Sequence, residues 1–116
     1  MRSRTSYSKG LWAEFLARNY LRLHGFRIVQ SRYITGRNTH RAEIDIIARR
    51  RNLLIFIEVK HRPDLHAVFD AIASHQSARL RRAAETYIAR TGWAGDARFD
   101  VIAVCGLRIH WIKNAI

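Results

Sequence analysis

Asp45, Glu58 and Lys60 stand inside the two most apolar runs of a chain that otherwise avoids acid. The first run reads Ala42-Glu43-Ile44-Asp45-Ile46-Ile47-Ala48, and the second reads Leu53-Leu54-Ile55-Phe56-Ile57-Glu58-Val59-Lys60. Carboxylates in such runs need a reason, because the chain holds 9 acids against 21 Lys plus Arg. Side chains at i and i+2 of a strand share a face. Alternation places Glu43, Asp45 and Ile47 on one face. It places Glu58 and Lys60 on one face of the next strand, with Leu54 and Phe56. If the strands pair, Asp45, Glu58 and Lys60 converge. Two carboxylates and an ammonium at one point suit a divalent metal acting on a phosphate.

The elements that must position them follow from periodicity. A first helix is expected from a cap at Ser6 or Ser8 to about Leu23, with Leu11, Trp12, Phe15, Leu16, Tyr20 and Leu23 at helical spacing and His24-Gly25 as its stop. The first ten residues read as a flexible basic arm (1–8) or a helix lead-in. A strand follows over Phe26 to Tyr33, then a polar turn. Strands at 42–50 and 53–61 form a tight hairpin at Arg51-Asn52, and Pro63 ends the second. One helix is expected from Asp70 or Ser74 to Ala89, then strands at Phe99–Val104 and Arg108–Ile112. The order is that of an α/β or α+β sandwich. A helix between the hairpin and the Phe99 strand allows a parallel pairing there, hence a mixed sheet flanked by helices.

At 116 residues the chain is expected to be one domain, 1–116, long enough for a core that 48% hydrophobic content can fill. No apolar run approaches a membrane span and no secretory signal is legible, so a cytoplasmic protein is expected. The lone Cys105 excludes an internal disulfide and a cysteine-rich zinc site. The net charge is +12, and 18 of the 21 basic residues are Arg, whose planar fork matches phosphate oxygens. Such a chain points to a polyanion, most often nucleic acid. An anionic membrane is disfavoured on the expectation that no helix pairs a basic face with an exposed aromatic one.

The motif Asp45, then twelve residues, then Glu58-Val59-Lys60, preceded by Glu14 and set on an αβββαβ order, resembles the PD-(D/E)XK nuclease superfamily of restriction endonucleases and junction resolvases. More closely, the chain resembles the YraN-like family of small bacterial proteins. The matching pieces are Gly10 with Ala13-Glu14, Glu43 to Ala48, Phe56 to Arg62, Ala84 with Tyr87, and Arg98-Phe99-Asp100-Val101. The resemblance implies a restriction-endonuclease-like αβββαβ core and a Mg²⁺- or Mn²⁺-dependent endonuclease, with branched or damaged DNA as one substrate class. It implies that Asp45 and Glu58 bind the metal, with the Val59 backbone carbonyl completing the site. Lys60 would orient or help deprotonate the attacking water. Glu14 would reach the metal directly or through water, and Glu43 would stand by as a further acid. DNA is favoured over RNA as partner, and a homodimer is expected by analogy with the resolvases. Gln76 stands where many members carry Lys, which removes a charge that could contact the scissile phosphate.

Each of these residues also has a plainer reading. Glu14 could pair with Arg18 at i+4 on a solvated face. Asp45 could meet one of many Arg residues. Glu58 could be an edge-strand charge that blocks aggregation, and Lys60 an outward cation. Arg49 and Arg50 at the hairpin read as a solvated turn or as phosphate contacts. Arg62, Arg79 and Arg82 are further candidates for nucleic acid. Trp12, Trp93 and Trp111 read as core or rim rather than as stacking platforms, and Asp100 as a structural acid with an Arg partner. Three functions are therefore weighed: a metal-dependent nuclease, a nucleic-acid-binding module with little catalysis, and a basic scaffold.

Overall fold

The computed structural model describes residues 2–36, 41–74 and 77–116, with backbone alone for 2–8. The elements run α1 (Arg2–Leu23), β1 (Arg27–Thr35), β2 (Ala42–Arg50), β3 (Leu53–His61), α2 (Leu65–Ala73), α3 (Ser77–Thr91), β4 (Asp96–Cys105) and β5 (Arg108–Ile112). The five strands form one sheet in the order β1-β2-β3-β4-β5. The β1–β2, β2–β3 and β4–β5 pairs are antiparallel, whereas β3–β4 is parallel across the α2–α3 crossover. This is a mixed α/β sandwich with a restriction-endonuclease-like αβββαβ core.

Each face of the sheet carries its own core. Ile46, Ala48, Ile55, Ile57 and Ile102 pack with Ala17 and Leu21 of α1. Ile44, Ile47, Leu54 and Phe56 pack with Leu80, Ala83, Ala84 and Tyr87 of α3. Both hairpin strands are thus covered on both sides, which is why their sequences read as nearly continuous apolar runs.

Three expectations about the helices need correction. First, α1 begins at Arg2, so residues 2–8 belong to the helix backbone and neither Ser6 nor Ser8 caps it. Second, its buried stripe is Ala13, Ala17 and Leu21, while Leu11, Trp12, Phe15 and Leu23 are exposed, so a basic helix does carry outward aromatic rings, contrary to expectation. Small alanines at i and i+4 let the helix sit close on the sheet, and its bulky side chains turn outward. Third, one expected helix is two. Asp64 caps α2 by accepting from the Ala67 N–H at 2.9 Å, and Ser74 closes it. The stop at His24-Gly25 is as expected: Gly25 has φ 84°, and the Phe26 and Gly25 N–H groups donate to the Leu21 and Arg22 carbonyls.

The C-terminal strands are locked by Asp100, which is fully buried. Arg98 donates to it through Nε and Nη2, both at 2.8 Å, and Trp111 Nε1 and the Asn114 N–H each donate at 2.9 Å. Asp100 is the structural acid expected, and Arg98 is its partner.

Candidate active site

The hairpin opens into a fork where the acids stand. The β2–β3 ladder runs from Arg50↔Leu53 to Ile46↔Ile57, one step short of Asp45 and Glu58. Beyond that point β2 continues against β1 to Ala42, and β3 continues against β4 to His61. Asp45 fills the gap: its Oδ2 accepts from the Val59 N–H at 2.8 Å. In an extended strand a residue's N–H and C=O face the same neighbour, so the Val59 carbonyl also faces the fork.

The strands distort to allow this. Ile44 and Ile47 both join the α3 cluster, whereas Ile46 and Ala48 join the α1 cluster. Strict alternation therefore breaks around Asp45, and Glu43, Asp45 and Ile47 do not simply share one face as alternation predicts. Across the β1–β2 pair, Arg32 has φ 55°, a left-handed conformation rare for Arg. Ser31↔Ile46 and Tyr33↔Ile44 pair on either side of it. Arg32 thus stands opposite Asp45, whose carboxylate reaches across to β3, while the register shift of this strand pair lies farther along, between Ile28 and Gln30.

Electrostatics tie the acids together. The Asp45 carboxyl is pushed up from 3.8 to about 7. Burial is the main cause, and the charges of Glu14, Glu58 and Glu43 add to it, while the Val59 N–H opposes it. Lys60 Nζ donates to Glu58 Oε1 at 3.0 Å, and both side chains are mostly covered. Glu58 and Lys60 share the α3 face with Leu54 and Phe56, as alternation predicts. Glu14 pairs with Arg32 at 3.3 Å rather than with Arg18. Glu43 stands at 3.9 Å from Arg41.

Beside the fork lies a cleft of about 380 Å³ whose lining includes Arg41, Glu43, Lys60, Arg62, Ser74 and Arg79. Of the basic candidates, Arg62 and Arg79 line this cleft and Arg82 does not. Arg49 and Arg50 are held elsewhere. They are four and five residues from Asp45 along β2, about 13–17 Å at strand rise. Arg49 lies over the Trp93 ring, and Arg50 lies over Phe26 and donates to the His24 carbonyl at 2.7 Å. Gln76 lies outside the described residues. Sequence reasoning missed Arg41 and Arg32. The place of Arg41, directly before the acidic strand, was a usable signal, but nothing in the sequence marks the turned backbone of Arg32.

Among the described residues, no three His, Cys, Asp or Glu side chains are already grouped to hold a metal ion. The fork offers a smaller donor set of hard oxygens: the Asp45 and Glu58 carboxylates and the Val59 carbonyl. Such a set suits a cation that completes its shell with water and phosphate oxygens. The crowding that holds a proton on Asp45 is also what a divalent cation would relieve.

Related proteins match nearly the whole chain. The family model described as "Uncharacterised protein family UPF0102" matches residues 13–104, from the turn holding Glu14 through β4. The UPF0102 protein Atu0303 of Agrobacterium fabrum is 39% identical, over 94% of this chain and 89% of its own length. A UPF0102 protein of Chromohalobacter salexigens is 36% identical, over 95% and 91%. One from Shewanella woodyi is 40% identical, over 91% and 89%. With nearly its whole length covered in these matches, the chain belongs to the UPF0102, or YraN-like, family.

Proposed function

We propose that the protein is a metal-dependent nuclease that hydrolyses DNA phosphodiester bonds. The observation that carries this reading is the β2–β3 fork, where Asp45 accepts from the Val59 N–H and feels the charges of Glu58 and Glu14. Mg²⁺ or Mn²⁺, when bound, supplies Lewis-acid stabilisation of the phosphate's developing charge. Asp45, Glu58 and the Val59 carbonyl are the groups that would hold it, with Glu14 reaching it through water. Lys60, anchored by Glu58, stands ready to orient the attacking water and to offset charge on the phosphate. Arg41, Arg62 and Arg79 would grip flanking phosphates. The net charge of +12 supports a polyanionic substrate.

Localisation in the cytoplasm fits a DNA substrate, and no helix of the described residues is long and apolar enough to cross a membrane. A homodimer is the assembly proposed by analogy with junction resolvases. The test is incubation of nicked, branched and linear DNA with the protein and Mg²⁺ or Mn²⁺. Cleavage that EDTA abolishes supports the reading, and no cleavage of any of the three overturns it. A second reading, a nucleic-acid-binding module with this fold and little catalysis, is favoured by the pairing of Glu14 with Arg32 and of Glu58 with Lys60. It expects tight, salt-dependent binding without turnover.

A further inference from the structure

The outward face of α1 carries two large aromatic rings that the nuclease chemistry leaves unused. Trp12 is 49% exposed and Phe15 50% exposed, and their rings stack with centroids 5.9 Å apart and planes 21° from parallel. Ala13 and Ala17 take the core positions of this helix instead. Outward aromatic rings cost solvation unless something covers them.

Charge and position select the occupant. In α1, five basic residues accompany a single acid, Glu14. Two copies packed through this helix would bring its like charges together. Lys9 stands one turn before Trp12 and lines a hollow with His61 and Arg62. Arg62 also lines the cleft beside the fork. Arg62 is thus shared by the cleft beside the fork and by the hollow that Lys9 lines, and Lys9 precedes Trp12 by one helical turn. Cations that follow a backbone beside aromatic rings that accept bases are the elements of a single-strand site. In a duplex the base faces are buried in the stack, so the rings have nothing to hold there.

We propose that Trp12 and Phe15 form a stacking platform for unpaired nucleobases. The substrate of the proposed nuclease then carries a single-stranded segment or flap next to the scissile phosphate. Nucleic acid is the chosen occupant because of the function proposed above, and binding is measured without cleavage so that the two ideas fail separately.

Fluorescence anisotropy in EDTA would compare a labelled oligo-dT and a duplex of equal length, for wild type, Trp12→Ala, Phe15→Ala and Trp12→Phe. The alanine variants are expected to bind oligo-dT at least about fivefold more weakly each. Duplex affinity and the salt slope should stay unchanged, because no charge is lost. Trp12→Phe should retain most of the single-strand affinity. Circular dichroism and thermal melting would check that these surface changes leave the fold intact. Equal losses on both DNAs, or no loss on oligo-dT, would overturn the platform. So would a wild-type dimer in sedimentation that the alanine variants break, or ring-dependent binding to phosphatidylglycerol vesicles with oligo-dT binding unaffected.

Discussion

Replacing Asp45 by Asn should make the folded protein more stable at neutral pH, because this carboxylate is ionised against the preference of its surroundings. Burial and the neighbouring acids raise its pKa from 3.8 to about 7. The unfolded chain loses this proton near the ordinary value, while the folded chain keeps it to about pH 7. Between those limits the folded state binds more protons, so stability falls as pH rises and the full loss is in place above pH 7. A gap of about three pH units corresponds to about 4 kcal/mol, and water at this partly buried site lowers that to about 2–4 kcal/mol. Asn keeps the volume and an oxygen to accept the Val59 N–H, but it carries no charge. Urea unfolding should therefore show Asp45→Asn about 2–4 kcal/mol more stable than wild type at pH 8, and no more stable at pH 3.5. Mg²⁺ at pH 8 should stabilise wild type and leave the variant unchanged, since the variant lacks one carboxylate of the proposed metal site. A variant no more stable than wild type at pH 8, or more stable by the same amount at pH 3.5, would refute the reasoning.

Other outcomes follow from the same structure. Asp100→Ala removes the acceptor of four hydrogen bonds and strands Arg98, so it should cost about 3–5 kcal/mol in thermal or urea unfolding. Gly95→Ala would place a methyl carbon 2.6 Å from the Trp93 ring and 2.7 Å from the Asn52 carbonyl, and a loss of about 1–3 kcal/mol should appear in the same assay. Arg62→Ala and Arg79→Ala should each weaken DNA binding and lower the salt slope by about one, whereas Arg49→Ala and Arg50→Ala, at the far end of the sheet, should leave both nearly unchanged in anisotropy titrations.

The hairpin was the most legible part of the fold. Apolar runs bounded by Ala42 and Pro63, with Arg51-Asn52 between them, placed both strands within their observed limits. Burial of both faces leaves little freedom in such runs. The strand period put Glu58 beside Lys60 on β3, where the two side chains pair, but it did not give the orientation of Asp45, because alternation breaks there. The helices were read less well. Trp12 and Phe15 look like core residues because of their bulk, yet Ala13 and Ala17 took the core because close approach to the sheet favours small side chains. The split between α2 and α3 had a signal in Asp64, a capping residue directly before Leu65, but periodicity continuing through Ile72 and Leu80 masked it. The fork itself was invisible. It depends on where a ladder stops and on a left-handed Arg32, and neither leaves a residue pattern. Nothing in the sequence set Arg62 and Arg79, which line the cleft beside the fork, apart from Arg49 and Arg50, which do not.

The most direct test of the central claim is the single-turnover rate of DNA cleavage, with Mn²⁺, by wild type, Asp45→Asn and Glu58→Gln. Both variants keep the shape of the fork and lose one negative charge each. The account predicts metal-dependent cleavage by wild type and a fall of at least about a hundredfold in each variant, with DNA binding retained or tightened. Cleavage by either variant at the wild-type rate would contradict it.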